Sequence, residues 1–132
     1  MSIAAIHIFP TSKTPEVFLN PEGSIKIIGR AIDESRTKFS EQILIWIDDY
    51  LLKPAASTEV IIALEYMNSF NSIIMASILR KLNELNHQSK KLTIKWFVEE
   101  DDDDLLERGE YISSTFNIPI EFIPTDQIKS NY

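Results

Sequence analysis

The chain has 132 residues, 44% of them hydrophobic and 25% charged, and its 13 Lys and Arg against 20 Asp and Glu give a net charge of −7. This length and composition predict one globular domain with a hydrophobic core of its own. The negative charge argues against nucleic acid and anionic membranes as partners, because both are bound through Lys and Arg. The absence of cysteine excludes disulfides, thiol nucleophiles and thiolate zinc sites.

Membrane spans and secretion signals are not predicted either. The longest apolar runs, at 43–47 and 60–64, contain five residues each, whereas a membrane span needs about 20. The first residues lack the basic cluster that opens a secretory signal. We therefore expect a cytoplasmic protein of bacterial type that is not attached to a membrane.

The N-terminal part begins with a weakly patterned segment and continues with a β-hairpin. Residues 1–15, which include Pro10 and Pro15, are expected to form an arm or an edge segment. Two β-rich runs follow, at 17–19 and 25–28, and a short Asn-Pro-Glu-Gly loop separates them. This arrangement is typical of a hairpin.

From residue 39 onward, segments with helical spacing alternate with segments typical of strands. Ser40 is a candidate cap for the first helix, and Pro54 ends it. The run 60–64 is apolar at every position, which predicts a central strand covered on both faces. In order, the predicted segments are a helix at 39–52, a strand at 58–66, a helix at 70–86, a strand at 92–98, a helix with the stripe Leu105, Gly109, Ile112 and Phe116, a strand at 119–123 and a polar tail at 125–132.

This order of segments predicts the fold class. Strands that alternate with helices imply right-handed crossovers and parallel pairing in the C-terminal half. Together with the hairpin, they predict an α/β (α+β) fold, in which a single mixed β-sheet with an N-terminal hairpin carries about three packed helices. No repeat, linker or low-complexity tract divides the sequence, so residues 1–132 are expected to form a single domain.

An enzymatic site has little support in the residues. The three glycines form neither a dinucleotide-binding fingerprint nor a phosphate-binding loop. The two histidines are His7, in an expected β segment, and His87, near a helix end, and no nucleophile elbow accompanies them. We therefore predict no catalytic residue and no cofactor.

The acidic run at 99–104 allows three interpretations. Its carboxylates could hold Mg²⁺ or Ca²⁺, with Glu100, Asp101 and Asp102 as candidate ligands, in a small metal-dependent enzyme or cation-binding domain. The same acids could cap the next helix and face the positive end of its dipole. They could also form an acidic face for a basic partner. Capping is favoured, because the run lacks the glycine and the spacing of a Ca²⁺-binding loop.

The loop after the strand at 58–66 brings two asparagines and two serines to the start of a helix, at positions Asn68, Ser69, Asn71 and Ser72. Sites in α/β sheets tend to lie in such loops. Asn68 or Ser69 can cap the helix. Alternatively, a phosphate on Ser69 would add about 1.5 to 2 negative charges at a helix end that tolerates them. Phe70 is then a candidate anchor for a partner protein or a lid over the sheet edge.

The sequence resembles the SiaC family of bacterial regulatory phosphoproteins from about Pro15 to Pro124. Four segments carry the resemblance: IKIIGRA at 25–31, WIDDYL at 46–51, LEYMNS at 64–69 and IKWFVEEDD at 94–102. The family fold is similar to that of STAS domains, which agrees with the mixed sheet predicted from the pattern. The family usually has threonine where Ser69 stands and lysine where Ile73 stands.

The resemblance implies a non-enzymatic, partner-switching regulator. A dedicated serine/threonine kinase phosphorylates such a protein and a PPM-type phosphatase removes the phosphate. The unphosphorylated form binds an effector, for some members a GGDEF-type diguanylate cyclase. In this sequence the resemblance implies modification at Ser69, and Ser72 is the second choice. The residues expected to bind the partner are Tyr66, Asn68, Phe70, Asn71 and Ser72. From the residues alone, a structural subunit that dimerises through its amphipathic helices stays a further alternative.

Overall fold

A single six-stranded mixed sheet forms the centre of the protein, with the strand order β1-β2-β3-β4-β5-β6. The computed structural model describes residues 3–33 and 38–129, with the backbone alone for residues 38 and 39. The strands are β1 (Ile6–Ile8), β2 (Glu16–Asn20), β3 (Ser24–Ala31), β4 (Ser57–Met67), β5 (Lys91–Glu99) and β6 (Glu121–Thr125). The helices are α1 (Lys38–Leu52), α2 (Ser69–Leu82), α3 (Glu84–His87) and α4 (Asp103–Phe116). The predicted fold class is confirmed.

The sheet divides into an antiparallel and a parallel half. Strands β1, β2 and β3 pair antiparallel, and β2 and β3 form the predicted hairpin. Strands β3 to β6 pair parallel, with a helical segment between each consecutive pair. Because the sheet advances in one direction and such crossovers are right-handed, the helices pack on one face of it.

The core lies between that face and the helices. Ile27, Ile62 and Trp96 are neighbours across β3, β4 and β5, and all three are buried. They belong to one cluster with Ile47 of α1 and Leu79 of α2. Burying these side chains, at about 25 cal/mol for each Å² of apolar surface, is the main force that holds the helices on the sheet.

No helix of the described residues packs on the opposite face of β4, so the predicted coverage on both faces is wrong. Val60, Ile62 and Leu64 are buried, whereas Ile61 and Ala63 between them are half-buried. The apolar run at 60–64 therefore has side chains in two different environments, one on each face of the sheet. One face forms the core and the other forms an apolar part of the open sheet surface.

Several boundaries differ from those predicted. Strand β1 lies within the expected edge segment and contains His7, in agreement with the β segment expected there. The helix expected at 70–86 ends at Leu82, and α3 follows it as a separate turn. Ser40 does not cap α1, because it lies inside that helix and is buried. Strand β6 extends to Thr125, and Ile128 is buried, so this part of the expected polar tail packs on the protein.

Parts of the predicted first helix and of the predicted polar tail cannot be compared with the structure. The side chain of Phe39 and residues 130–132 lie outside the described residues. Over the described part of the chain, no helix is both long enough and apolar enough to cross a membrane.

Candidate functional site

The β4–α2 loop is a tight connection in which Asn68 caps the helix, as predicted. Strand β4 ends at Met67, and Asn68 stands in extended conformation before the first helical residue, Ser69. Asn68 Oδ1 accepts a hydrogen bond from the backbone N–H of Asn71 at 2.9 Å. Such a cap satisfies one of the N–H groups that the first turn of a helix leaves without a partner.

Both asparagines also attach this loop to the segment that follows β3. Asn68 Nδ2 donates to the carbonyl of Ile32 at 3.0 Å, and Asn71 Nδ2 donates to the carbonyl of Asp33 at 2.9 Å. Asn71 is 3% exposed. It therefore positions the loop rather than presenting a surface to a partner, which does not fit its predicted role as a partner-binding residue.

The two serines of the first turn face helix α4. Arg108 Nη1 donates to Ser72 Oγ at 3.2 Å and lies 3.4 Å from Ser69 Oγ. Ser69 is exposed, whereas Ser72 is half-buried and donates its hydroxyl proton to the carbonyl of Asn68 at 3.1 Å. The two predicted hydroxyls thus share one cation but differ in accessibility.

Arg108 is the residue of this site that sequence reasoning missed. Its guanidinium also donates through Nε to Asp104 Oδ2 at 3.1 Å, one turn earlier on α4. In the sequence this pair has the ordinary spacing of a surface ion pair on a helix. Nothing local indicates that the same side chain reaches across to α2.

A groove of about 530 Å³ runs between α2 and α4 from these serines. Its walls are mainly apolar, and Ile73 and Tyr111 expose 69% and 66% of their surface beside it. Arg80 lies at its other end, with the guanidinium carbon 4.7 Å from the centre of the Phe116 ring. The groove can receive an apolar segment and offers a positive charge at each end.

The other predicted partner-binding residues do not all lie on this groove. Tyr66 is exposed and lines a separate polar cleft with Arg30, whose guanidinium lies 5.4 Å from the centre of its ring. Phe70 is half-buried. Tyr66 and Ser69 therefore lie on different sides of the loop, although three positions separate them in the sequence.

The acidic run begins helix α4 and does not assemble a metal site in the described residues. Asp102 is the N-cap, and its Oδ1 accepts from the backbone N–H of Leu105 at 3.1 Å. Glu100 and Asp101 are exposed in the preceding turn. Within the described ranges, no group of three or more His, Asp or Glu side chains is placed to hold a metal ion. The capping interpretation accounts for the run, and the metal-ligand interpretation gains no support.

The two histidines lie away from the serines. His7 Nε2 is 2.8 Å from Glu16 Oε2, and its ring stacks on Phe18 with centroids 4.3 Å apart. His87 occupies the last turn of α3, at the other end of the α2–α3 segment. Neither histidine therefore contacts Ser69 or Ser72.

Comparison with known proteins gives consistent matches. Residues 8–125 match a family model described as SiaC family regulatory phosphoprotein. The crystal structure of apo-SiaC from Pseudomonas aeruginosa superposes with a TM-score of 0.80 at 20% identity, over 92% of this chain and 99% of that one. A second structure, diguanylate cyclase SiaD in complex with its activator SiaC from the same organism, matches with a TM-score of 0.82 at 20% identity, over 91% and 99%. No curated protein matches the sequence.

Proposed function

The chain belongs to the SiaC family of regulatory phosphoproteins, and on that premise we propose that phosphorylation of Ser69 switches its binding to an effector protein. The protein acts in the cytoplasm as a signalling module and catalyses no reaction itself. Its effector is a GGDEF-type diguanylate cyclase. Support for this choice comes from the Pseudomonas aeruginosa SiaC, which is the activator of the diguanylate cyclase SiaD.

The exposed hydroxyl of Ser69 carries this proposal. It belongs to the first residue of α2, in a loop that Asn68 and Asn71 hold in place. A kinase or a phosphatase can therefore reach it without unfolding the loop. Ser72 is the weaker candidate, because its hydroxyl is half-buried and already donates to a backbone carbonyl.

The modification cycle requires an ATP-dependent serine/threonine kinase and a PPM-type phosphatase. In the kinase reaction, Ser69 Oγ bonds to the γ-phosphorus of ATP, the bond from that phosphorus to ADP breaks, and the hydroxyl proton leaves. In the phosphatase reaction, water attacks the phosphorus, inorganic phosphate leaves and the hydroxyl is restored. The cycle thus adds and removes about 1.5 to 2 negative charges at one fixed position.

We place the docking segment of the cyclase in the groove between α2 and α4. Ile73 and Tyr111 offer apolar surface that binding would remove from water. Arg80, at the end away from Ser69, offers a positive charge. The complementary segment carries apolar side chains and at least one carboxylate. A phosphate on Ser69 disfavours this complex, because its charge has to be desolvated when an apolar segment covers that end of the groove.

The test compares the affinity of purified GGDEF-type cyclases from the host for four forms of the protein. These forms are the unphosphorylated wild type, Ser69→Ala, Ser69→Asp and a protein with phosphoserine inserted at position 69. We expect Ser69→Ala to bind like the wild type and phosphoserine to weaken binding about 100-fold, which requires a differential of only a few kcal/mol. Ser69→Asp weakens binding less, because aspartate carries a single charge.

Ser114→Asp is the matched control. Ser114 is exposed on α4 and does not line the groove, so this variant is expected to bind like the wild type. Equal affinities for the hydroxyl and the phosphoserine forms would contradict the switch. Fragmentation mass spectrometry of the protein from its host is expected to locate phosphate on Ser69, and phosphate found only on Ser72 would contradict the assigned position.

A further inference from the structure

Arg108 is a cation held against the proposed modification site by another helix. Its Nη1 lies 3.4 Å from Ser69 Oγ and 3.2 Å from Ser72 Oγ, although 39 and 36 positions separate them in the chain. The side chain is 30% exposed, so the charge is partly shielded from water. Helix α2 supplies no basic residue before its last turn, where Arg80 and Lys81 stand. Among the residues that the structure describes, the cation nearest to the proposed phosphate therefore comes from α4.

The partners of Arg108 among the described residues are weaker than a phosphate would be. Two are neutral hydroxyls, and the third is Asp104, whose side chain is 73% exposed. An ion pair with so exposed a carboxylate contributes little, because water screens it. A phosphate brings about 1.5 to 2 negative charges and three acceptor oxygens, which suit the paired donors of a guanidinium.

We infer that Arg108 is the internal charge partner of a phosphate on Ser69 and links α2 to α4 in the phosphorylated protein. This inference rests on the proposed function, since it requires Ser69 to be modified. The phosphate then lies at the mouth of the groove between the two helices, and Arg108 is no longer available to an acidic group of the effector. Phosphorylation therefore weakens effector binding in two ways: it adds a negative charge at Ser69, and it pairs with the positive charge of Arg108.

The charged groups that surround this position determine what a titration will report. Helix α4 contributes Asp104 and Glu107 beside Arg108, and α2 contributes Arg80 at the far end of the groove. The two carboxylates favour the monoanionic phosphate, whereas a paired guanidinium favours the dianion. The effect of Arg108 can therefore be isolated only by changing it alone and comparing the result with the loss of another cation.

The experiment measures the second ionisation of phosphoserine 69 by ³¹P NMR titration. Genetically inserted phosphoserine makes the measurement independent of any kinase. We expect Arg108→Gln to raise this pKa by about 0.5 to 1 unit, because it removes the cation that stabilises the dianion. Arg80→Gln removes the same charge from the same groove without touching Ser69, and it is expected to leave the pKa within about 0.2 unit of the wild type.

The outcomes separate the inference from the switch itself. An unchanged pKa in Arg108→Gln, or equal shifts in both variants, would overturn the pairing even if phosphoserine 69 still prevents effector binding. A shift in Arg108→Gln alone would support the pairing even if effector binding were unaffected by phosphate. Arg108→Lys keeps the charge but loses the paired donors, and we expect its pKa to lie between those of the wild type and Arg108→Gln. Circular dichroism of each variant verifies that it is folded.

Discussion

Helices α2 and α4 both begin at the carboxyl edge of the sheet, and their first turns differ in charge. Helix α4 starts at an aspartate cap, Asp102, and places Asp103 and Asp104 in its first turn. Helix α2 starts at a neutral cap, Asn68, and has no acidic residue in its first turn. In both caps a side-chain oxygen accepts a hydrogen bond from the backbone N–H three residues later.

This difference shows how one structural device serves two purposes. The N-terminus of a helix carries a partial positive charge that favours nearby anions. In α4 that charge is complemented permanently by carboxylates. In α2 the neutral hydroxyls of Ser69 and Ser72 leave it available for an anion that can be added and removed. Arg108 of α4 contacts both hydroxyls and so connects the two helix starts.

The largest expected effect is at Asn71, the buried amide that has no equivalent in α4. Asn71→Ala removes the donor to the carbonyl of Asp33 and to Asn68 Oδ1. We expect the free energy of unfolding to fall by about 2 kcal/mol, because the variant loses both hydrogen bonds of a buried amide and leaves a cavity in its place. Urea denaturation measures this loss. Asn86→Ala is the control, since its side chain bonds only to the exposed Asn83 side chain among the contacts described, and its effect should be within about 0.5 kcal/mol.

The next largest effect distinguishes the two caps. Asn68→Ala removes both the cap and the bond to Ile32, whereas Asp102→Ala removes a cap alone. We expect losses of about 2 and about 1 kcal/mol in the free energy of unfolding, respectively. Equal losses in denaturation curves would mean that the additional bonds of Asn68, to the carbonyl of Ile32 and from the Asn71 side chain, contribute nothing.

A smaller effect tests the partial positive charge at the N-terminus of α2, which no acidic residue of the first turn complements. Ser69→Asp gives α2 the kind of acid that α4 already has, and Asp103→Asn removes one from α4. We expect stability to rise by about 0.5 kcal/mol in the first variant and to fall by a similar amount in the second. The corresponding shifts in Tm are about 2 °C in opposite directions. Tm shifts of the same sign in calorimetric scans at low salt would contradict the idea that an acidic residue stabilises the N-termini of both helices.

The smallest expected effect concerns metal ions. Because Asp102 is occupied as a cap and no group of three or more described acids is placed to hold a metal ion, calorimetric titration with Mg²⁺, Mn²⁺ or Ca²⁺ should show no stoichiometric binding. Saturable heat that disappears in Asp101→Asn or Asp102→Asn would instead restore the metal-ligand interpretation of the acidic run.

The sequence predicted the fold class because the periodicity of its longer segments is set locally. The alternating burial of β3 and the apolar stripe of α4 follow directly from residue spacing. For strand β1 the sequence indicated only a β segment around His7, because three residues are too few to show a period. It is held by pairing with β2, as in the register of His7 with Phe18, and pairing is not visible in a single segment.

The range of each contact determines what the sequence indicates about the site. Asn68 is one of two candidate caps in the sequence, because the acceptor role of a cap depends only on the three residues that follow it. The burial of Asn71 depends on Asp33, 38 positions away, and has no local signal. The contact of Arg108 with α2 is equally long-range. Its local signal, the spacing from Asp104, indicated only a surface ion pair.

The strand order has a consequence for how the protein forms during synthesis. Each strand of the sheet pairs only with strands that are its neighbours in the sequence. As the chain leaves the ribosome, each new strand can therefore join an edge that is already built, without waiting for a later segment to fill a gap. The β4–α2 loop can take its place against the segment after β3 before the second half of the sheet exists, and Arg108 reaches the serines only when α4 arrives.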